Sequence, residues 1–559
     1  MKPLTTKLVT LGIVGLFFSF SGIIMCFFWP HVFYKILSNE LPLTPRSRIF
    51  EIWKDTNEIP MNMEFYFFNW TNPEELKIPG KKPNFIEVGP YTFKEKIEKV
   101  NIVFHPENNT VSFDQRKFWY FDPEKSNGKL SDKIVHLNVV AVSAAHKVRY
   151  WSFFMQNSLS FMLDKLSGIH IVKTVDELLF TGYEDPLITM GQMAVDDGEE
   201  IPPYDRFGWF YLRNGSTMFD GHYNMATGED NLNNLGVMKN WNYKDTTSYY
   251  KTPCNVVEGS AGEFWPPNRD AKEITIWTAD LCRPVTYEYT GTVMHKGILG
   301  YQYAIGEKTL GNSTKRHYPH DQAKYFERTT TTEDFFDAKH STTESNENID
   351  DPDTINMGQC YCNGECSPMG VINITACRYG APGFVSLPHF YKADPILREQ
   401  VTGMKPNETK HSFYITLEPN TGVPLDVAAR FQINILVQPS LSVALFRDVP
   451  KIYFPIFWFN LKSGTTENLA WSLRQLLIVP SAGLYGSVIL AIVGAIIVII
   501  IAVAIYVRKG PKKLILARRK VGAFNGKKSE AVYMDTTITD DEHDRSSPSL
   551  QLKIQTRNS

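Results

Sequence analysis

Four cysteines sit close together in QCYCNGECSPMGVINITAC, residues 359–377: Cys360, Cys362, Cys366 and Cys377. Thiols this near one another can ligate a metal, cycle in redox chemistry or close disulfides. A structural zinc site takes four ligands in matched pairs such as C-x-x-C, and CxC followed by CxxxC lacks the second pair. Cys254 and Cys282 complete a set of six, while the seventh cysteine, Cys26, lies in an apolar run near the N-terminus. The compartment decides between these chemistries. On the oxidising side of a membrane the six are disulfides, whose pairing the sequence leaves open.

Other chemistry-bearing patterns are missing from the chain. There is no GxSxG elbow, HExxH helix, P-loop or GxGxxG turn, and the 13 histidines are scattered without metal-ligand spacing. The expectation is a protein that is not an enzyme and holds no metal or other cofactor. A formal net charge of −2 gives no footprint for a nucleic-acid partner.

The compartment follows from two runs that break an otherwise ordinary globular composition. Residues 8–29, LVTLGIVGLFFSFSGIIMCFFW, and 484–507, LYGSVILAIVGAIIVIIIAVAIYV, carry no charge. A helix needs about 20 apolar residues to cross the roughly 30 Å hydrocarbon core, so both are long enough. The first is too long for the core of a signal peptide, and bulky FFWPH follows where small residues would be cleaved. RKGPKKLILARRK, residues 508–520, brings seven basic residues directly after the second run, which marks that side as cytoplasmic. The expected organisation is a cytoplasmic tail 1–7, a span 8–29, an exofacial ectodomain 30–483, a span 484–507 and a cytoplasmic tail 508–559. N-x-S/T sequons at Asn69, Asn108, Asn214, Asn312, Asn373 and Asn407 all fall in the exofacial segment and predict glycosylation there. The cysteine cluster therefore belongs to an oxidising compartment and reads as disulfides.

The ectodomain reads as β-rich with helical insertions. RFQINILVQ (430–438), PVTYEYTGTV (284–293) and HSFYITLEP (411–419) alternate apolar with polar residues, the period of half-buried antiparallel strands. AAHKVRYWSFFMQNSLSFMLDKLSG (144–168) reads as one helix with apolar residues almost all round, a pattern typical of a buried helix and less often of an apolar docking surface. Residues 328–357, with eight acids against two bases, read as a mobile surface loop.

A set of motifs runs along the ectodomain: FFNWTNPEE (67–75), EVGPYTF (87–93), ELLFTGYEDP (177–186), TPCNVV (252–257), ADLCRP (279–284), SLPHF (386–390), GMKPN (403–407) and LEPNTGVPLDVAARFQINILV (417–437). In these the chain resembles the class B scavenger receptor family, which includes the fatty-acid scavenger receptor, lysosomal integral membrane proteins and insect sensory neuron membrane proteins. The motifs cover nearly all of the chain outside the tails and the acidic loop. The resemblance implies an α+β fold: a large antiparallel β-barrel ectodomain with a helical bundle at the membrane-distal apex, a lipid tunnel through the barrel, and two terminal membrane anchors. It also implies disulfides Cys254–Cys360, Cys282–Cys377 and Cys362–Cys366, the last closing a turn at Asn363-Gly364.

In function the resemblance implies capture of fatty acids, sterols or lipoprotein lipid and their passage to the membrane, an apolar path that needs no catalytic residue. A lipid-carrying or soluble protein is a further expected partner. The ligand contacts expected are Trp151, Phe154 and Lys165 on the 144–168 helix. Where the fatty-acid receptor carries closely spaced lysines, LDKLSGIH offers only Lys165 beside Asp164. Neither tail contains a cysteine, so tail palmitoylation is not expected. The other readings are a chemosensory protein delivering apolar odorants and an endolysosomal sorting receptor for a soluble partner. The tail has no acidic dileucine, and YMDT (533–536) lacks a bulky fourth residue. Plasma membrane is therefore expected over endosomal or lysosomal membrane.

Overall fold

The computed structural model describes residues 2–55, 59–193, 204–267, 271–311, 315–317, 354–356 and 360–521. Asn312, most of the acidic stretch 328–357 and the tail beyond 521 lie outside these. The chain divides into two compact units, Met1–Phe27 with Tyr485–Ser559, and Phe28–Leu484.

The first unit contains the membrane-crossing parts of two long helices, α1 (Lys2–Glu40) and the C-terminal helix Glu467–Val521. Both are long and apolar enough to cross a membrane. Each outlasts its apolar run, because the helix continues through the polar flanks. They approach closely along small residues: Gly15, Ser19 and Gly22 on one, Ser487, Ala491 and Gly494 on the other. A methyl added to Gly22 would lie 2.8 Å from the Ser487 carbonyl oxygen, and one on Gly15 3.1 Å from that of Gly494. Small residues at this spacing let helix backbones touch where lipid gives no hydrophobic drive.

The second unit is built on strands. In chain order they begin β1 (Met61–Trp70), β2 (Phe85–His105), β3 (Thr110–Phe121), β4 (Lys133–Leu137) and β5 (His170–Thr174). There follow β6 (Tyr223–Ala226), β7 (Met238–Trp241), β8 (Glu273–Thr278), β9 (Arg283–His295), β10 (Ile298–Ile305), β11 (Lys315–His317) and β12 (Thr354–Asn356). The last are β13 (Val371–Asn373), β14 (Gly383–Ser386), β15 (Tyr414–Leu417), β16 (Pro424–Val437) and β17 (Ile452–Gly464). Among the described residues one 13-stranded antiparallel sheet runs β7-β6-β3-β2-β1-β17-β16-β15-β10-β9-β8, with β14 branching from β16 and β13 from β14. Its two edges are stitched by Gly259–Ala261: Met238 N donates to Gly259 O, and Ser260 bonds Thr275 O and Trp277 N. The result is a nearly closed β-barrel. Gly259 has φ 93°, and a Cβ there would sit 2.7 Å from the Thr275 carbonyl, so the stitch requires glycine.

The interior follows the alternation read in the strands. Met61, Met63, Phe65 and Phe67 of β1 are buried, and a register shift between Phe65 and Phe67 lets Phe68 and Trp70 be buried too. Phe65 meets Phe93 and Phe210 edge-on at 5.7 and 5.2 Å. One apolar cluster gathers Phe65, Trp70, Tyr91 and Phe457; a second gathers Phe113, Trp277, Tyr287 and Phe413. Ile433 and Phe459 pack against both, so the two form one continuous interior. The expected strands 284–293 and 430–438 lie in β9 and β16. The expected strand 411–419 is shorter, because Asn407 caps a helical turn, Glu408–His411, before β15 begins.

Candidate functional site

Beyond the short α2 (Arg48–Lys54), the expected helix 144–168 is broken into the end of α3 (Val139–Lys147), a short 3-10 turn Val148–Tyr150, and α4 (Phe153–Leu166). Ser152 makes the break, its hydroxyl accepting from Met155 N at 3.4 Å to start α4 afresh. Asn138 caps α3 and its amide donates to Ser167 Oγ at 2.7 Å, tying the start of α3 to the end of α4.

Nor is α4 buried. Only Leu159 and Leu163 are, while Phe153, Phe154 and Phe161 are 73%, 76% and 68% exposed. At 100° per residue Phe154, Phe161 and Lys165 fall on one face. An apolar residue count cannot tell a buried helix from a docking face, and here the apolar surplus points outward. Trp151 is half-buried against the interior cluster. Lys165 is exposed and lies 3.2 Å from Asp164. The structure thus puts Phe154 and Lys165 on one face of α4, about 16 Å apart along its axis, and leaves Trp151 at the helix base.

Beside α3 and α4, the chain after β16 bounds a solvent-open cavity of about 270 Å³. Its polar lining is His146, Arg149, Gln156, Gln438, Ser440 and Ser442. Ala444 N donates to Ser160 Oγ at 2.9 Å, fixing this segment to α4. Burial, then the Arg149 cation, lowers His146 to about 4, so its imidazole is neutral. Arg149 donates to Glu365 Oε1 at 2.8 Å, as does the Tyr150 hydroxyl at 2.7 Å, and these bonds hold the Glu365 carboxyl below the usual range.

Glu365 belongs to the cysteine cluster. Cys254 is bonded to Cys360 and Cys362 to Cys366. Asn363 and Gly364 both have positive φ, 48° and 88°, the tight turn that Asn-Gly favours. Cys282 and Cys377, the third pair, are both buried and side by side, and the contact with Cys377, then burial, raises the Cys282 thiol above the ordinary cysteine range. Among the described residues no three His, Cys, Asp or Glu side chains are grouped to hold a metal ion.

Of the sequons, Asn108, Asn214 and Asn407 are exposed, and Asn69 and Asn373 are half-buried. Asn69 Oδ1 accepts from Val135 N at 2.8 Å and Asn373 Oδ1 from Thr375 N at 2.8 Å.

Sequence reasoning missed two constellations. One is the pairing of His146 with Gln438, whose amide lies 3.3 Å from His146 Nδ1 across 292 residues of chain. No local pattern signals it. The other joins the family motifs themselves. Glu87 accepts from His389 Nε2 at 2.6 Å and Trp458 Nε1 at 2.7 Å, His389 Nδ1 accepts from Lys405 N at 3.1 Å, and Gln432 accepts from His389 N at 2.6 Å. His389 stacks on His411 at 4.4 Å. EVGPYTF, SLPHF, GMKPN and the β16 motif therefore build one polar network, which reads as structural because every polar group named has its partner.

With this architecture in view, the similarities to known proteins are these. Residues 13–505 match the CD36 family. Protein peste of Drosophila melanogaster is 35% identical over 499 residues, 88% of this chain and 81% of that protein. Scavenger receptor class B member 1 of Bos taurus is 28% identical over 495 residues, 88% and 87% of the two chains. Lysosome membrane protein 2 of Homo sapiens is 29% identical over 447 residues, 79% and 82%. The barrel, the two terminal spans and a match over nearly the whole length agree: the chain belongs to the CD36 family, the class B scavenger receptors, as a two-span membrane protein.

Proposed function

We propose that the ectodomain captures lipids or lipid-bearing particles on the α4 face and passes lipid through the barrel interior to the outer leaflet. The observation that carries this reading is the exposure of Phe153, Phe154 and Phe161 on a helix held by only two buried leucines. Large exposed apolar patches mark sites that take apolar partners. The continuous interior and the name of the scavenger receptor relatives support it. No catalytic group is needed. Plasma-membrane residence with both termini cytoplasmic goes with this reading; the lysosome membrane protein relative favours endolysosomal residence as the second one.

The same reading includes glycans at Asn69, Asn108, Asn214, Asn312, Asn373 and Asn407, and a third bridge between Cys282 and Cys377. The contact of those two thiols supports the bridge in an oxidising compartment.

Phe154→Ser with Phe161→Ser tests the capture step. At equal surface level the double variant should capture labelled lipid at least tenfold less tightly, since each buried aromatic contact is worth about 1.5–3 kcal/mol and about 1.4 kcal/mol is tenfold. Uptake equal to the wild type would move docking away from α4.

A further inference from the structure

We propose that the ectodomain holds a small inorganic anion, of the size of chloride, against Arg283 in a cavity between β9 and the loop closed by Cys362 and Cys366. The site is separate from the α4 face and stands independently of the lipid reading.

The argument begins with an unmatched charge. Arg283 opens β9 and is only 8% exposed. A guanidinium stays charged, and a buried charge is costly unless it is paired and hydrogen-bonded. The other buried arginines obey that rule. Arg213 bonds Asp280 at 2.8 Å, and Arg430 donates to Asn460 Oδ1, Thr409 O and Ser412 O. Among the described residues nothing accepts from the guanidinium of Arg283. Its Nε is sealed off without a partner, while its terminal nitrogens keep accessible surface. Its Cζ lies 3.4 Å from the centre of the Tyr361 ring, which the Tyr250 ring meets edge-on at 5.0 Å. A ring face offsets part of a cation's charge but leaves the in-plane N–H groups without an acceptor. Burial draws Arg283 below the usual arginine value, and Tyr361 and Tyr250 oppose it where a carboxylate ordinarily would.

The space beside it selects the ligand. A solvent-open cavity of about 30 Å³ is bounded by Arg283, Lys308, Gly311, Ser367, Pro368 and Asn373, and no acidic residue lines it. That is room for about two water-sized spheres, enough for one small ion and too little for a lipid or a sugar acid. Lys308 adds a second cation to the wall, already matched by Glu273. The charge left over is that of Arg283, so the ion that fits is an anion. Tyr361 stands between Cys360, bonded to Cys254, and Cys362, bonded to Cys366. An anion on Arg283 therefore braces the stretch of chain that carries both bridges.

The test uses the full chain purified in detergent, titrated with sodium chloride against sodium gluconate at fixed ionic strength, gluconate being too large for the cavity. Chloride should raise the melting temperature saturably, as a ligand that binds only the folded chain does, and its NMR line should broaden in the presence of the protein. Arg283→Met keeps the apolar stem and removes the charge, and both responses should vanish. Because Arg283 is buried, a second variant guards against misfolding. Lys308→Gln, at a side chain 52% exposed, leaves Glu273 unmatched beside the cavity and should weaken chloride about threefold. A wild type that responds alike to chloride and gluconate overturns the assignment, and so does undiminished chloride affinity in either variant once folded.

Discussion

Arg149 reaches across 216 residues of sequence to bond Glu365, and so fastens the turn before α4 to the five-residue loop CNGEC closed by Cys362 and Cys366. The guanidinium also lies 4.4 Å from the Tyr150 ring, whose hydroxyl shares the same carboxylate oxygen. The disulfide loop thereby positions a wall of the His146 cavity. Glu365→Gln should loosen that wall at a cost of about 1 kcal/mol, discounted because the carboxylate is half-exposed. Faster amide exchange in residues 148–156, with the barrel strands unchanged, is the expected readout; unchanged exchange there would mean the loop fastens nothing.

Acid should destabilise the ectodomain. His136, His146 and His411 are each lowered from 6.5 to about 4, chiefly by burial. A depressed folded pKa gives stability that is complete above the unfolded value and is lost as pH falls toward the folded one. At pH 5 each neutral histidine then withdraws on the order of 1–2 kcal/mol. Burial opposes it, but hydrogen bonds from His389 and Trp458 hold Glu87 below 4.5, which extends the loss further into acid. The melting temperature should drop between pH 7.4 and 5, and His411→Gln should shallow the drop. Equal melting at both values would refute the assignment of neutral buried rings.

The small-residue seam between the two spans makes a separate prediction. Gly22→Leu forces a branched side chain against the Ala491 and Ser487 backbone. Overpacking of this kind costs about 1–3 kcal/mol. Earlier aggregation on heating in detergent is expected, with Gly12→Leu, whose nearest neighbours are a flexible isoleucine at 3.8 Å, as the milder comparison.

Topology and bridging are checked together. Glycosidase should shift the protein on a gel, and a tag at Ser559 should be reachable only after permeabilisation. Non-reducing peptide maps should find Cys254, Cys282, Cys360, Cys362, Cys366 and Cys377 oxidised. An externally accessible C-terminus contradicts the two-span hairpin with cytoplasmic tails, and free Cys282 and Cys377 contradict the third bridge.

Lys165→Ala asks how much charge matters on the α4 face. Asp164 already lies 3.2 Å away and both side chains are 63% exposed, so the lysine is partly neutralised and well solvated. Capture of oleate should fall by no more than about threefold, the worth of an exposed ion pair. A larger loss would make Lys165 a principal anchor.

What the sequence made legible was whatever short-range pattern encodes. The apolar runs marked the spans, and the alternation of Phe431, Ile433 and Ile435 marked β16. The helix break at Ser152 was written in a capping residue but hidden by the apolar residues around it. Whether those residues faced in or out depended on what packs against α4, and only Leu159 and Leu163 are fully buried there. The His146 cavity was illegible for a different reason. Its walls come from α3 and from a segment some 290 residues later, and only the barrel's circuit brings them together.

That circuit is fastened in one place by a clasp rather than a ladder. Gly259–Ala261 joins β7 to β8 through four backbone hydrogen bonds: Met238 to Gly259, Ser260 to Thr275, Trp277 to Ser260 and Ala261 to Gly236. Undoing them separates no strand from its neighbour along the rest of the wall. The backbone link at this edge is thus three residues long, and the Trp241 and Trp277 rings, 5.5 Å apart, back it with side-chain packing.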